Sequence, residues 1–307
     1  MAHIPDGFLS APVMAGTAAA SVAGLAVAVH RSRRHLAERE APVLGAATAF
    51  VFAAQMLNFP LGAGTSAHLL GGVLVGTMLG PWAAMLVLFA VVLVQALLFQ
   101  DGGIGALGAN TLNMAILGVG GGMLVYRWIL WLAGVGFRRR VAAAALAGAG
   151  STVIVGVAVA VELALSDTVP LAPALVAVGG GHALMGIGEG VITGAVLAMV
   201  LRARPELVAS VPSPSAWARA LAYAGTTGAV TLAIGAAYLA SSKPDALEAA
   251  AARLGIHEIE TAYLAAPFAD YTAPLGGALM AAVIGVVAVF TVAWVIGRAV
   301  ARRRLGA

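Results

Sequence analysis

No cysteine occurs among the 307 residues, which excludes disulfides and thiolate metal ligands. Any metal chemistry falls to imidazole, carboxylate, or backbone and terminal nitrogen. Charge is scarce too. Asp, Glu, Lys and Arg make up 10% of the chain against 61% hydrophobic residues, where a soluble domain carries about 25% charged residues. That excludes a water-soluble globule and predicts an integral membrane protein. Lysine occurs once, at Lys243 in "SSKPDAL", so there is no G-x-x-x-x-G-K-[ST] phosphate loop and ATP is not bound by that route. The zinc-peptidase pattern H-E-x-x-H is missing as well. A formal net charge of +4 would point to nucleic acid in a soluble chain. Here the basic residues stand in short clusters between apolar runs, so they read as membrane topology with no nucleic-acid partner.

What is present is a succession of apolar segments. Crossing ~30 Å of hydrocarbon takes roughly 20 helical residues. Spans are predicted near 10–30, 42–60, 66–80, 82–100, 108–130, 141–165, 175–201, 218–240 and 274–297. The third is short and ends at Gly80-Pro81, so it is expected to tilt or to share a hairpin with the fourth. No segment alternates as a barrel strand would, which leaves helices as the spanning element. The expected fold is an all-α integral membrane protein with a seven-helix bundle over 1–205. A cytoplasmic linker at 206–217, broken by Pro212 and Pro214, leads to a two-helix unit over 218–307 with an outer loop at 241–273. Inside that loop Asp245 and Gly255 are start and stop signals for a short helix.

Every arginine except Arg253 falls on one side if these spans alternate. The positive-inside rule then places the amino terminus outside the cell membrane and the carboxyl terminus in the cytoplasm. A cleaved signal peptide would want a basic start, whereas Asp6 precedes the first apolar run and the arginines follow it. The terminus is expected to be retained.

Ionisable groups within spans are costly and point to function. His68 follows "PLGAGTSA" at the outer start of the third span, and Glu162 lies near the outer end of the sixth. His182 and Glu189, in "GGGHALMGIGEGVITG", are seven residues apart and share one helix face. The connection 100–113 adds Asp101, Asn110 and Asn113.

The opening "MAHIPDGFLS" places His3 beside the amino terminus. Terminal amine, an intervening amide nitrogen and imidazole Nδ1 close fused five- and six-membered rings on one metal. With Met1 retained, His3 is third, and four nitrogens fill a square plane. With Met1 trimmed ahead of the small Ala2, His3 becomes second, and three nitrogens leave one vacancy for another histidine, His68. The second case is preferred. A tetragonal nitrogen plane suits Ni(II) or Cu(II) and accommodates Co(II). Asp101, Asn110, Asn113, His182 and Glu189 are candidates for orienting the ligands, accepting released protons or gating. His257, Glu258, Glu260 and Asp270 are candidates for loading the metal, or form a solvated acidic surface. His3 can equally be a solvated terminal residue, and His182 with Glu189 a self-satisfied polar pair.

The stretches "HIPDGFLS", "GTSAHLLGGVLVGTMLGPWAAMLVLFAVVLVQALLFQDGGIGALGANTLNMAILG" and "GGGHALMGIGEGVITG" closely resemble the CbiM/NikM family. These are substrate-binding membrane (S) components of energy-coupling factor importers for cobalt and nickel. The tail from Ser241, "SSKPDALEAAAARLG", resembles the PDGL-type domain of CbiN/NikN components, with Ala246 where that motif has Gly. The resemblance implies a fused M–N protein and gives mature Ala2, His3 and His68 the ligand roles. It also implies partnership with a transmembrane coupling (T) protein and two cytoplasmic ATPase subunits, transported Co(II) or Ni(II) as the bound substrate, and no catalytic cofactor. Two rival classes are an S component for a non-metal, vitamin-like solute and a membrane metallohydrolase using His182 and Glu189.

Overall fold

The computed structural model describes residues 3–302 apart from 34–35, 37–39, 63–64, 204–214, 242 and 274–276. Its long helices are α1 (Ala11–Ser32), α2 (Ala41–Met56), α4 (Pro81–Phe99), α5 (Leu107–Ala133), α6 (Phe137–Leu165), α7 (Leu171–Ala203), α8 (Ser215–Leu239) and α10 (Gly277–Arg302). Shorter elements are β1 (Phe59–Gly62), β2 (Thr65–Ala67), α3 (Gly72–Leu79) and α9 (Ala246–Leu254). Six of these helices are long and apolar enough to cross a membrane. The all-α, multi-pass membrane class follows. Proline opens the first turns of α1, α2 and α4, where its missing N–H costs no hydrogen bond.

The predicted third span does not form as written. Residues 66–80 divide between the end of an antiparallel hairpin, β1–β2, and the eight-residue α3, about 12 Å long at 1.5 Å per residue. The hairpin is fixed from far along the chain. The amide of Ser66 donates to Pro244 O at 2.9 Å, its hydroxyl donates to Lys243 O at 2.7 Å, and Ser241 N donates to Asn58 O at 2.8 Å. No local pattern announces partners from residues 241–244.

Buried α2 lies at the centre, with α8 and α10 packed along it. Helices α6 and α7 approach closely because α7 carries glycine at four-residue intervals. A Cβ at Gly186 would lie 2.8 Å from Ala149 O, and one at Gly190 2.7 Å from Ala145 O. Small residues of this kind let backbones touch in a lipid setting.

Helix α9 has the signals read from its sequence. Asp245 accepts from Glu248 N and Glu248 accepts from Asp245 N, both at 2.8 Å, a capping box. Gly255 ends it at φ +72°. Ala246 takes the first helical position and needs no glycine freedom there. Of the expected linker 206–217, residues 206–214 lie outside the described ones and Ser215–Trp217 already belongs to α8.

α4 ends in a π-helical turn, Gln95–Phe99, α5 contains another, Thr111–Gly118, and α7 a third, Leu175–Gly179. Such turns insert an extra residue and re-aim side chains. The first two border the segment that carries His3.

Candidate metal centre

Residues 3–8 lie between two loops, with Asp6 bridged to Thr261. Asn110 grips Ile4 from both sides, accepting from its N–H at 2.7 Å and donating to its carbonyl at 3.0 Å. Gly103 N also donates to Ile4 O at 2.9 Å. Asp6 accepts from Gly105 N at 2.8 Å and from Tyr263 N at 3.1 Å, and its carbonyl accepts from Thr261 N at 3.0 Å. Gly7 turns at φ +93°, and a Cβ there would lie 2.2 Å from Ile259 O. Pro-Asp-Gly therefore seats the amino-terminal segment against residues 103–105 on one side and 259–263 on the other.

This path buries His3, at 5% exposure, near His68, at 3%, with ring centroids 6.3 Å apart. His3 Nδ1 lies 2.6 Å from Asp101 Oδ1. Asp101 stays below the usual carboxylate range: burial raises it, but the neighbouring His3 ring and hydrogen bonds from His3 and Tyr271 outweigh that. An ionised carboxylate only accepts, so His3 Nδ1 carries the hydrogen. His68 Nδ1 lies 3.0 Å from Leu69 O, which also only accepts. Burial pushes the His68 pKa from 6.5 down to about 3, so near neutral pH its Nε2 is a bare lone pair. The Nε2 atoms of His3 and His68 are both buried without a hydrogen-bond partner. Metal-binding imidazoles commonly have one nitrogen tied to an oxygen acceptor and the other turned to the ion.

A polar chain continues from Asp101. Tyr271 donates its hydroxyl to Asp101 Oδ2, while its ring stacks on Phe99 at 4.7 Å. Gln95 Nε2 donates to Tyr271 Oη at 3.2 Å and to Gln55 Oε1 at 3.0 Å. Gln55 Nε2 donates to Leu70 O at 3.0 Å. Sequence reading missed Gln55, Gln95 and Tyr271. The glutamines left a signal, as lone amides in "FVFAAQM" and "VVLVQALLF". Tyr271 left none.

The other predicted residues fall in separate places. Asn113 donates to Glu162 at 2.7 Å, a buried pair with no hydrogen bond to either imidazole. Glu189 accepts from Leu70 N at 2.6 Å and Gly71 N at 3.0 Å, bracing the segment after His68. His182 Nδ1 donates to Val178 O at 2.8 Å, and no hydrogen bond joins it to Glu189. The polar-pair reading of these two is thereby corrected: seven residues put them on one face, but Glu189 turns to the backbone of another segment. His257, Glu260 and Asp270 line a cavity of about 240 Å³ together with His3, Asp101 and Glu248, whereas exposed Glu258 lies outside its lining. Burial, then the nearby Glu248 and Asp270 carboxylates, raise the Glu260 pKa. Ala2 lies outside the described residues. Among those described, no three or more His, Asp or Glu are arranged to hold a metal, so their side chains alone do not complete a site.

An apolar helical bundle with two buried imidazoles converging at one end is a multi-pass membrane protein with a polar chamber. Residues 3–207 match the family described as the cobalt uptake substrate-specific transmembrane region, CbiM. The chain belongs to that family, and residues 219–302 match the PDGLE domain. It is 36% identical over 302 residues to "Putative fused nickel transport protein NikMN" of Archaeoglobus fulgidus, covering 96% of this chain and 98% of that one. It is 34% identical over 244 residues to "Fused nickel transport protein NikMN" of Rhodobacter capsulatus, covering 75% of this chain and 70% of the other. A solved structure described as a truncated transition metal transporter matches with TM-score 0.59 at 36% identity, covering 66% of this chain and 99% of that one. These relatives are named as transport proteins, not enzymes. The resemblance of both halves, CbiM/NikM-like and NikN-like, is borne out.

Proposed function

We propose that this protein is the substrate-capturing membrane component of an importer for Co(II) or Ni(II). One observation carries the reading: the buried rings of His3 and His68 lie with centroids 6.3 Å apart, each with Nδ1 tied to an oxygen acceptor and Nε2 without a partner. The metal is the substrate. Its remaining ligands are main-chain: the amine of mature Ala2 and the amide of His3. Chelation through His3 Nδ1 requires the ring to turn about Cβ–Cγ and release Asp101, which then accepts the remaining ring N–H or a proton displaced by the metal. Asn110 fixes the segment that carries the chelate, Glu189 fixes the segment after His68, and Asn113 and His182 are gating candidates. The acidic chamber formed with His257, Glu260 and Asp270 gathers the hydrated cation, with Glu258 at its exposed approach.

On this reading the capturing unit lies within residues 1–205, and the loading unit runs from α8 to the carboxyl end. The arginine clusters support an extracytoplasmic amino terminus and a cytoplasmic carboxyl terminus in the cell membrane, hence capture outside and release inside. A coupling protein and two ATPase subunits supply the power stroke, in keeping with a sequence that has no phosphate loop.

Titration of the purified full chain with Ni(II) and Co(II) tests the reading. One metal per chain is expected, with binding abolished in His3→Ala and in His68→Ala. Wild-type affinity in either variant overturns the site. Intact mass spectrometry with and without metal is expected to show a free terminus lacking Met1. An acetylated terminus overturns the chelate.

A further inference from the structure

A fully buried amide inside an apolar helix is costly unless its hydrogen bonds are made. Gln95 is such a residue, 0% exposed at the first position of the α4 π turn. Its carbonyl accepts from Asp101 N at 3.1 Å, a reach across six residues that the widened turn permits. Its side chain faces two partners, and the two ends of the hydrogen-bond chain dictate its direction. Leu70 O can only accept, so Gln55 presents Nε2 to it and Oε1 to Gln95. Asp101 accepts from the Tyr271 hydroxyl, so the oxygen of that hydroxyl is left to accept from Gln95. Gln95 therefore presents Nε2 to both partners, leaving Oε1 buried and unpaired.

We infer that Gln95 is a positioning residue for the metal site, setting Asp101 through backbone and Tyr271 and tying it through Gln55 to the segment that follows His68. The inference rests on the function proposed above. Two histidines from segments 65 positions apart must be held within a fraction of an ångström to share an ion. Asp101 orients His3, and Leu70 O lies two residues from His68. Gln95 bonds to both sides, to Tyr271 on the Asp101 arm and to Gln55, which reaches Leu70 O on the other.

The test is Ni(II) titration of the purified full chain for wild type, Gln95→Met, Tyr271→Phe and the double variant, with metal-free melting curves alongside. Each single change is expected to weaken affinity about tenfold, the lower end for outer partners of metal ligands. The double variant is expected to be no weaker than the weaker single, because both changes cut one chain. A residue that only stabilises the fold would instead give additive losses that track the melting temperature. Additive losses of about a hundredfold, or wild-type affinity in either single variant, overturn the inference. Tyr271→Phe removes one loop hydroxyl and keeps the test valid should Gln95→Met fail to fold. If wild type binds no Ni(II), the proposed function and this inference fall together. If wild type binds, His68→Ala abolishes binding and Gln95→Met matches wild type, only this inference falls.

Discussion

His3 and Asp101 stand 98 positions apart in the chain and 2.6 Å apart in space. On the proposed function, Asp101 is the acceptor that holds the His3 ring through Nδ1–H before capture and takes up a proton when the metal displaces it. Asp101→Ala is therefore expected to weaken Ni(II) binding about 10- to 100-fold without abolishing it as His3→Ala does. Titration calorimetry reads both, and equal affinity in Asp101→Ala and wild type would count against the pairing.

Glu189 accepts two backbone N–H groups from the segment after His68. Glu189→Leu leaves both unpaired, at about 1–3 kcal/mol each, so a lower melting temperature and weaker metal binding are expected together. Glu189→Gln keeps one acceptor oxygen and is expected to fall between. An unchanged melting temperature in Glu189→Leu would remove this role.

Gly7→Ala puts a Cβ 2.2 Å from Ile259 O at a φ of +93°. A cost of about 1–3 kcal/mol is expected for the forced backbone, concentrated where residues 259–263 meet the amino-terminal segment. Faster proteolysis in the 255–273 loop, measured beside wild type, is the expected sign. An identical cleavage rate refutes it.

His68 also sets a pH dependence for the metal-free protein. Unfolded, its imidazole takes a proton at 6.5, but in its buried place only at about 3. Between those values the unfolded chain holds the extra proton, so acid favours unfolding. This contribution is complete above 6.5 and is lost progressively as the pH falls toward 3. In the presence of a chelator, melting temperatures at pH 7 and pH 5 are expected to differ more for wild type than for His68→Leu. Equal differences would contradict the burial of His68.

The helical class was legible because twenty-residue apolar runs have few other solutions. The Asp245–Gly255 helix was legible because caps are local chemistry. His3 and His68 could be paired on paper because chelate rings and donor counts constrain which residues meet. The failures share one cause: partners distant in sequence. Strands β1 and β2 pair where Ser241, Lys243 and Pro244 stitch Asn58 and Ser66. Glu189 ignores His182 because Leu70 and Gly71 offer two N–H donors. Tyr271 entered unannounced, since a tyrosine in a polar loop looks like any other, and Gln95 carries no charge to draw notice.

The seating of residues 3–8 has a consequence for biogenesis. Their first partners, residues 103–110, emerge about 100 positions later, and their last, Thr261 and Tyr263, more than 250 positions later. The segment thus waits for partners far downstream before its contacts are complete. Closing so long a loop is slow, and the cavity that His3 and Asp101 line becomes whole only once residues 257–271 have joined it. A chain halted before Thr261 has neither those walls nor the contacts that seat residues 3–8.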